Sequence, residues 1–247
     1  PSRPLHSAIA RATRWTPLRW RDWRLLVIEL RPCCRRFLGE GYIEVRFPAR
    51  LLAQLVLFDW VSGVPGGIVE LGVGSGVSLR GWVHFVAEHG PNRGIWAYDT
   101  FTGFPPFAPE DGPEIPELGK RIGGETEIRE RPVTKREVET SVLSMFDGDV
   151  PVNIVEGDIA ATLPRHTPPA PVALIFCDAD TYAPTKAALD VLWPLLAPGG
   201  LIVFDEYGHD PWPGETKAVD EWLAVNPELN LERLSMESGP TAYVMKP

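Results

Sequence analysis

From residue 67 onward, short apolar runs alternate along the chain with stretches whose apolar positions recur at helical spacing. "GIVELGV" (67–73), "RGIWAYDTF" (93–101), "VPVNIVEGDI" (150–159), "PVALIFCDAD" (171–180) and "GLIVFDEY" (200–207) read as strands. Between them, "SLRGWVHFVAEHG" (78–90) reads as a helix closed by Gly90, and "TKREVETSVLSMF" (134–146) as an amphipathic helix. "PTKAALDVLWPLLAPGG" predicts a helix from Pro184 to a Gly199–Gly200 turn. Alternation of this kind predicts an α/β fold with a parallel sheet and helices on both faces.

The last segments break the alternation. "LNLERLSMESG" and "TAYVMKP" leave room for only a tight turn, which cannot make a parallel crossover, so they predict an antiparallel hairpin at the sheet edge. Residues 102–133 are rich in Pro, Gly and charge without a clear period, and read as a lid or binding loop. Residues 1–60 read as a helical cap or association segment, and 61–247 as the main domain.

Composition narrows the function classes. A chain of 247 residues, 44% hydrophobic and 23% charged, fits a soluble globular protein. The net charge of −9 argues against a general affinity for nucleic acid, although residues 1–50 hold eleven Arg and only four acids. Within that segment "PLRWRDWRLLVIELR" (17–31) reads as a dimerisation or lid helix in preference to one lying on an anionic membrane. A homodimer or higher homo-oligomer is therefore expected. Cys33, Cys34 and Cys177 show neither a disulfide framework nor zinc spacing, and no apolar stretch reaches the length of a membrane span. Both features point to a cytoplasmic protein.

The candidate chemistry lies where the predicted strands end. "ELGVGSG" (70–76) joins a strand to a helix, and its glycines would let backbone N–H groups approach a ligand at the helix N-terminus. The spacing is GxGxG and not the GxGxxG of dinucleotide binders, which counts against a nicotinamide oxidoreductase. Glu70 before the turn would repel a pyrophosphate and welcome a cationic ligand. Asp99 ends the next strand, where an acid receives ribose hydroxyls in folds of this kind; capping a loop is its simpler role. Asp158 either accepts from an adenine amino group or caps a helix. Asp178 and Asp180 follow the fourth strand, and Asp205 and Glu206 the fifth. Four carboxylates at neighbouring strand ends suggest a cation between them.

These residues resemble a class I S-adenosylmethionine-dependent methyltransferase, and more narrowly the macrocin O-methyltransferase family, which modifies sugar hydroxyls of bacterial natural products. The resemblance rests on "IWAYDTFTGFP", on "VNIVEGDIAATLP" and above all on "DADTYAPTKAALDVLWPLLAPGGLIVFDEYG" followed by "TKAVDEWL", and it covers roughly residues 60–225. It implies a seven-stranded Rossmann-like sheet, mostly parallel with a C-terminal antiparallel hairpin, and an N-terminal helical extension. It implies S-adenosylmethionine held by Glu70, Gly72, Gly74, Ser75, Gly76, Ser78, Asp99, Thr100, Phe101, Gly157, Asp158, Ile159 and Asp178. It also implies Mg²⁺, or another hard divalent ion, on Asp178, Asp205 and Glu206, an oxygen set unsuited to zinc. Asp178 is the first candidate for the base, with Asp180 and His209 behind it. Two features depart from the family pattern: Asp-Glu replaces the usual Asp-Asp, and the turn lacks the family's Trp and Arg. The acceptor expected is a sugar hydroxyl, with a catechol-like phenol as the alternative. A non-catalytic nucleotide-binding module docking through its Arg-rich N-terminus is the contrasting class.

Overall fold

The apolar runs become a central sheet because their side chains are covered on both faces. In β1 (Gly67–Leu71) and β4 (Val172–Cys177) every residue is buried. β2 (Ile95–Asp99) lies beside β1 in parallel register, pairing Ile68 with Ile95 and Leu71 with Tyr98, and β3 (Val152–Glu156) continues outward from β2. On the other side β4 pairs with β1, and β5 (Leu196–Phe204) with β4, both parallel. β7 (Ala242–Met245) runs antiparallel to β5, and β6 (Leu231–Arg233) antiparallel to β7. The order across the seven-stranded sheet is β3-β2-β1-β4-β5-β7-β6.

This computed structural model describes residues 46–90, 92–114, 133–144, 150–210, 212–234 and 240–247. The chain divides into two compact units, Pro1–Leu52 and Ala53–Pro247, and the sheet belongs to the second. The expected N-terminal association segment therefore lies outside the described residues up to position 45, as do residues 115–132 of the expected lid loop. Among the described residues no helix is long and apolar enough to cross a membrane.

Helices connect the strands as the pattern requires. They are α1 (Arg46–Trp60), α2 (Val77–His89), α3 (Lys135–Leu143), α4 (Ile159–Thr162), α5 (Tyr182–Leu192) and α6 (Pro213–Val225). On one face Leu163, Ala188, Leu189, Leu192 and Val219 pack with Val69, Leu71, Ile175 and Cys177 in one apolar cluster. On the other, α2 lays Trp82 edge-on against Phe176, their ring centroids 5.6 Å apart. Cys177 is wholly buried, as its place in an apolar strand predicts.

Three local expectations need correction. The helix before β5 begins at Tyr182 and not at Pro184. Proline is tolerated in a first turn because its missing N–H would have no intrahelical acceptor there. That helix also ends at Leu192, and Gly199 and Gly200 lie inside β5 instead of ending the helix. Val172 pairs with Leu196 while Leu174 pairs with Leu201, so β5 carries three extra residues, and Gly199 takes a φ of 79° to accommodate them. Lastly, the C-terminal strands are antiparallel but not joined by a tight turn. Leu234 donates its N–H to the Thr241 carbonyl, so the connection is longer, and β7 lies inside the sheet with β6 at its edge.

Candidate active site

The strand order reverses between β1 and β4, and in open parallel sheets ligands bind at such a switch point, beyond the carboxyl ends of the strands. Two loops meet here. Gly72 has a φ of 84°, and a Cβ on it would run into the carbonyl oxygen of Asp178. Glycine is thus required for the turn after β1 to touch the loop after β4. The two are tied in place by Asp178 N–H donating to the Leu71 carbonyl and Gly72 N–H to the Tyr98 carbonyl, both at 2.9 Å. Gly74, with a φ of 52°, has nothing within 4 Å of where its Cβ would stand. Gly76, at a φ of 78°, precedes the first turn of α2. Ser75 offers its carbonyl to Arg80, and Ser78 is buried with its carbonyl accepting from Gln54.

Asp99 builds this turn. Its Oδ2 accepts from the N–H groups of Val73 at 2.7 Å and Gly74 at 2.8 Å, and its Oδ1 accepts from Phe101 N–H at 2.6 Å. The carboxylate thereby fixes the glycine turn and its own loop together, the loop-capping role that the sequence left open. Phe101 holds a φ of 53°, and Thr100 donates its hydroxyl to the Gly103 carbonyl. Asp158 is the N-cap of α4, accepting from Ala160 N–H at 2.9 Å, with Gly157 before it and the buried Ile159 after it. Glu70 is wholly buried within β1, between Ala97 and Phe176 on the neighbouring strands.

The strand-end acids expected from the sequence lie on the loops that leave β4 and β5. Cys177 pairs with Phe204, and Asp205 donates its N–H to the Cys177 carbonyl, so Asp178 and Asp205 leave adjacent strands side by side. Asp178 and Asp180 are half-buried and Asp205 is buried. Asp180 has a φ of 60°, a conformation unusual for a residue with a side chain and concentrated at functional sites. Glu206 contacts Nδ1 of His209, which lies exposed in the loop.

Sequence reasoning missed Glu215. It stands in the first turn of α6, where an acid normally faces water near the positive helix end. Here it is fully buried, its Oε1 accepting from Glu206 N–H at 2.8 Å. Burial holds its carboxyl well above the usual carboxylate range, and the charges of Asp205, Asp180 and Glu206 push the same way against the opposing Glu206 N–H. Asp180, Asp205 and Glu206 therefore lie near enough to act on a fifth carboxyl. Nothing in the sequence marks it, because only the packing of α6 takes it out of water.

Carboxylate oxygens are the donor type that suits a hard divalent ion such as Mg²⁺. Among the described residues, however, no three His, Cys, Asp or Glu side chains already converge as a ligand set.

The 8-demethyl-8-(2,3-dimethoxy-alpha-L-rhamnosyl)-tetracenomycin-C 4'-O-methyltransferase of Streptomyces olivaceus is 30% identical over 161 residues, covering 64% of this chain and 58% of its own length. The match thus spans less than two thirds of that relative. Among solved structures, the O-methyltransferase NovP superposes with a TM-score of 0.67 at 26% identity, covering 81% of this chain and 80% of its own. The calicheamicin methyltransferase CalS11 gives 0.63 at 28% identity, covering 97% and 90%. The family model for macrocin O-methyltransferase (TylF) matches residues 52–228, from within α1 to just past α6, and the chain belongs to that family.

Proposed function

We propose that this protein transfers a methyl group from S-adenosylmethionine to a hydroxyl of a sugar destined for, or attached to, a natural product. The observation that carries the reading is the shared edge of β1, β2, β4 and β5, where the glycine turn held by Asp99 touches the backbone of Asp178 in the loop after β4. Family membership and the sugar-modifying relatives support the same chemistry. Methyl transfer from a sulfonium is an in-line displacement, so the protein's task is alignment and removal of the acceptor's proton.

The turn residues 72–76 and the loops at Asp99 and Asp158 serve the nucleoside end. Asp178, Asp205 and Glu206 would hold Mg²⁺, which when bound supplies positive charge that lowers the acceptor's pKa. Asp178, in the loop that touches the glycine turn, would take the proton. Asp180 is the next candidate, and His209, backed by Glu206, is the third.

Titration calorimetry with S-adenosylhomocysteine, followed by Mg²⁺, tests this reading. Binding of the nucleoside with NAD⁺ silent is expected, together with a Mg²⁺ site that Asp205→Ala removes. Asp178→Ala should abolish methyl transfer to a sugar acceptor, with the loss falling on kcat at saturating S-adenosylmethionine. Full turnover by that variant, or turnover unchanged by a chelator, would sink the metal-assisted mechanism.

A further inference from the structure

The loop after β2 is fastened to the loop after β4 by one residue. Asp111 ends a single 3₁₀ turn, Pro109–Asp111, and is only 2% exposed. Its Oδ2 accepts from Ala108 N–H at 2.8 Å, within its own turn. Its Oδ1 accepts from Tyr182 N–H at 2.7 Å, across 71 residues of sequence. Tyr182 is the first residue of α5. The local capping residue, Thr181, makes no capping bond and instead donates its hydroxyl to the Ala179 carbonyl. The cap of α5 is therefore supplied by a different loop.

A third element closes the joint. Gly214, in the first turn of α6, lies so near that a Cβ on it would run into Asp111 Oδ1 and stand 2.7 Å from Tyr182 N. The next residue is Glu215, which holds the backbone of Glu206. Phe104, from the same loop as Asp111, packs at a tilt against Trp212 just before α6, with ring centroids 5.3 Å apart. The joint of Asp111, Tyr182 and Gly214 thus touches the end of the strained Asp178–Thr181 loop on one side. On the other it reaches the Asp205–Glu206 loop through Glu215.

We propose that Asp111 is a positioning residue that sets the carboxylates after β4 and β5 by clamping the loop after β2 against the first turns of α5 and α6. This rests on the function proposed above. A buried carboxylate accepting from two backbone N–H groups has a narrow choice of positions, and losing it leaves two N–H groups without an acceptor. The effect should appear at the acids and not at the nucleoside end, which Asp99 holds independently.

Hydrogen exchange of the full chain, read by mass spectrometry, tests the clamp directly. Asp111→Ala should speed exchange about tenfold or more in 104–112, in 178–183 and in the first turn of α6 together, with β1 and α2 unchanged. Asp111→Asn, which keeps one acceptor oxygen, should fall between. Gly214→Ala should loosen the same three segments, and the effect of the double variant Asp111→Ala/Gly214→Ala should fall short of the sum of the two single effects. In calorimetry, Mg²⁺ alone should bind Asp111→Ala about fivefold or more weakly, while S-adenosylhomocysteine binds within about twofold of the wild type. Faster exchange confined to 104–112, or spread uniformly over the sheet, would overturn the clamp. Equal losses of Mg²⁺ and nucleoside affinity would overturn it as well. If the wild type binds no S-adenosylhomocysteine, the methyltransferase reading fails, and the exchange pattern still decides whether the clamp exists.

Discussion

Gly72 and Gly74 stand two residues apart in the same turn, both at positive φ, yet alanine should act on them in different ways. At Gly74 the φ of 52° lies in the left-handed helical region and a Cβ meets nothing within 4 Å. The cost is the conformational one alone, roughly 1–2 kcal/mol. For a domain of this size that lowers the melting temperature by about 2–8 °C. At Gly72 the φ of 84° is less favourable, and the new Cβ would strike the backbone of Asp178, which cannot rotate away as a side chain would. Relieving that contact separates the β1 turn from the β4 loop and strains the hydrogen bonds Asp178 N–H to Leu71 O and Gly72 N–H to Tyr98 O. At about 1 kcal/mol for each bond on top of the conformational cost, the loss is roughly 3–4 kcal/mol. If a nucleoside approaches the turn at Gly74, the added methyl group there should weaken S-adenosylhomocysteine binding at least about tenfold, or about 1.4 kcal/mol. Chemical denaturation gives the two stabilities and titration calorimetry the affinity. Wild-type affinity in Gly74→Ala would refute the placement of the ligand over this turn. Equal destabilisation by the two variants would refute the argument from contacts.

Other perturbations probe the same framework. Asp99→Ala removes the acceptor of three backbone N–H groups, so stability should fall by roughly 2–4 kcal/mol and S-adenosylhomocysteine binding should be lost; retained binding in calorimetry would show that the turn holds its shape without the carboxylate. Tyr98 donates its hydroxyl to the His166 carbonyl at 2.5 Å, and burial pushes its phenol up to about 12. Because the neutral phenol is favoured in the folded state, its contribution is complete below pH 10 and is lost as pH rises toward 12. Tyr98→Phe should therefore cost about 1 kcal/mol at pH 8, with the gap to the wild type narrowing between pH 10 and 12. A gap that stays constant in denaturation curves across that range would disprove the assignment.

The sequence by itself determined the features that depend on neighbours along the chain. The short apolar run "VALIFC", bounded by Pro171 and Asp178, reads as a strand buried on both faces, and alternation of such runs with helices leaves a parallel sheet as the way to bury them. The acids at the ends of β4 and β5 were legible for the same reason, since parallel strands bring like ends to one edge. Their partners were not legible. "APEDGPE" reads as a polar loop, and Asp111 acquires its role only when Tyr182, 71 residues away, brings an uncapped helix start beside it. Glu215 reads as an ordinary acid of a first helical turn until the packing of α6 removes it from water. Gly199 and Gly200 read as a turn, but the register between β4 and β5 absorbs them as extra residues within a strand. Hydrophobic period is a local property repeated often enough to outweigh single exceptions. Capping across loops, burial of a lone carboxyl and strand register each depend on one long-range contact, and those were decided by the tertiary structure.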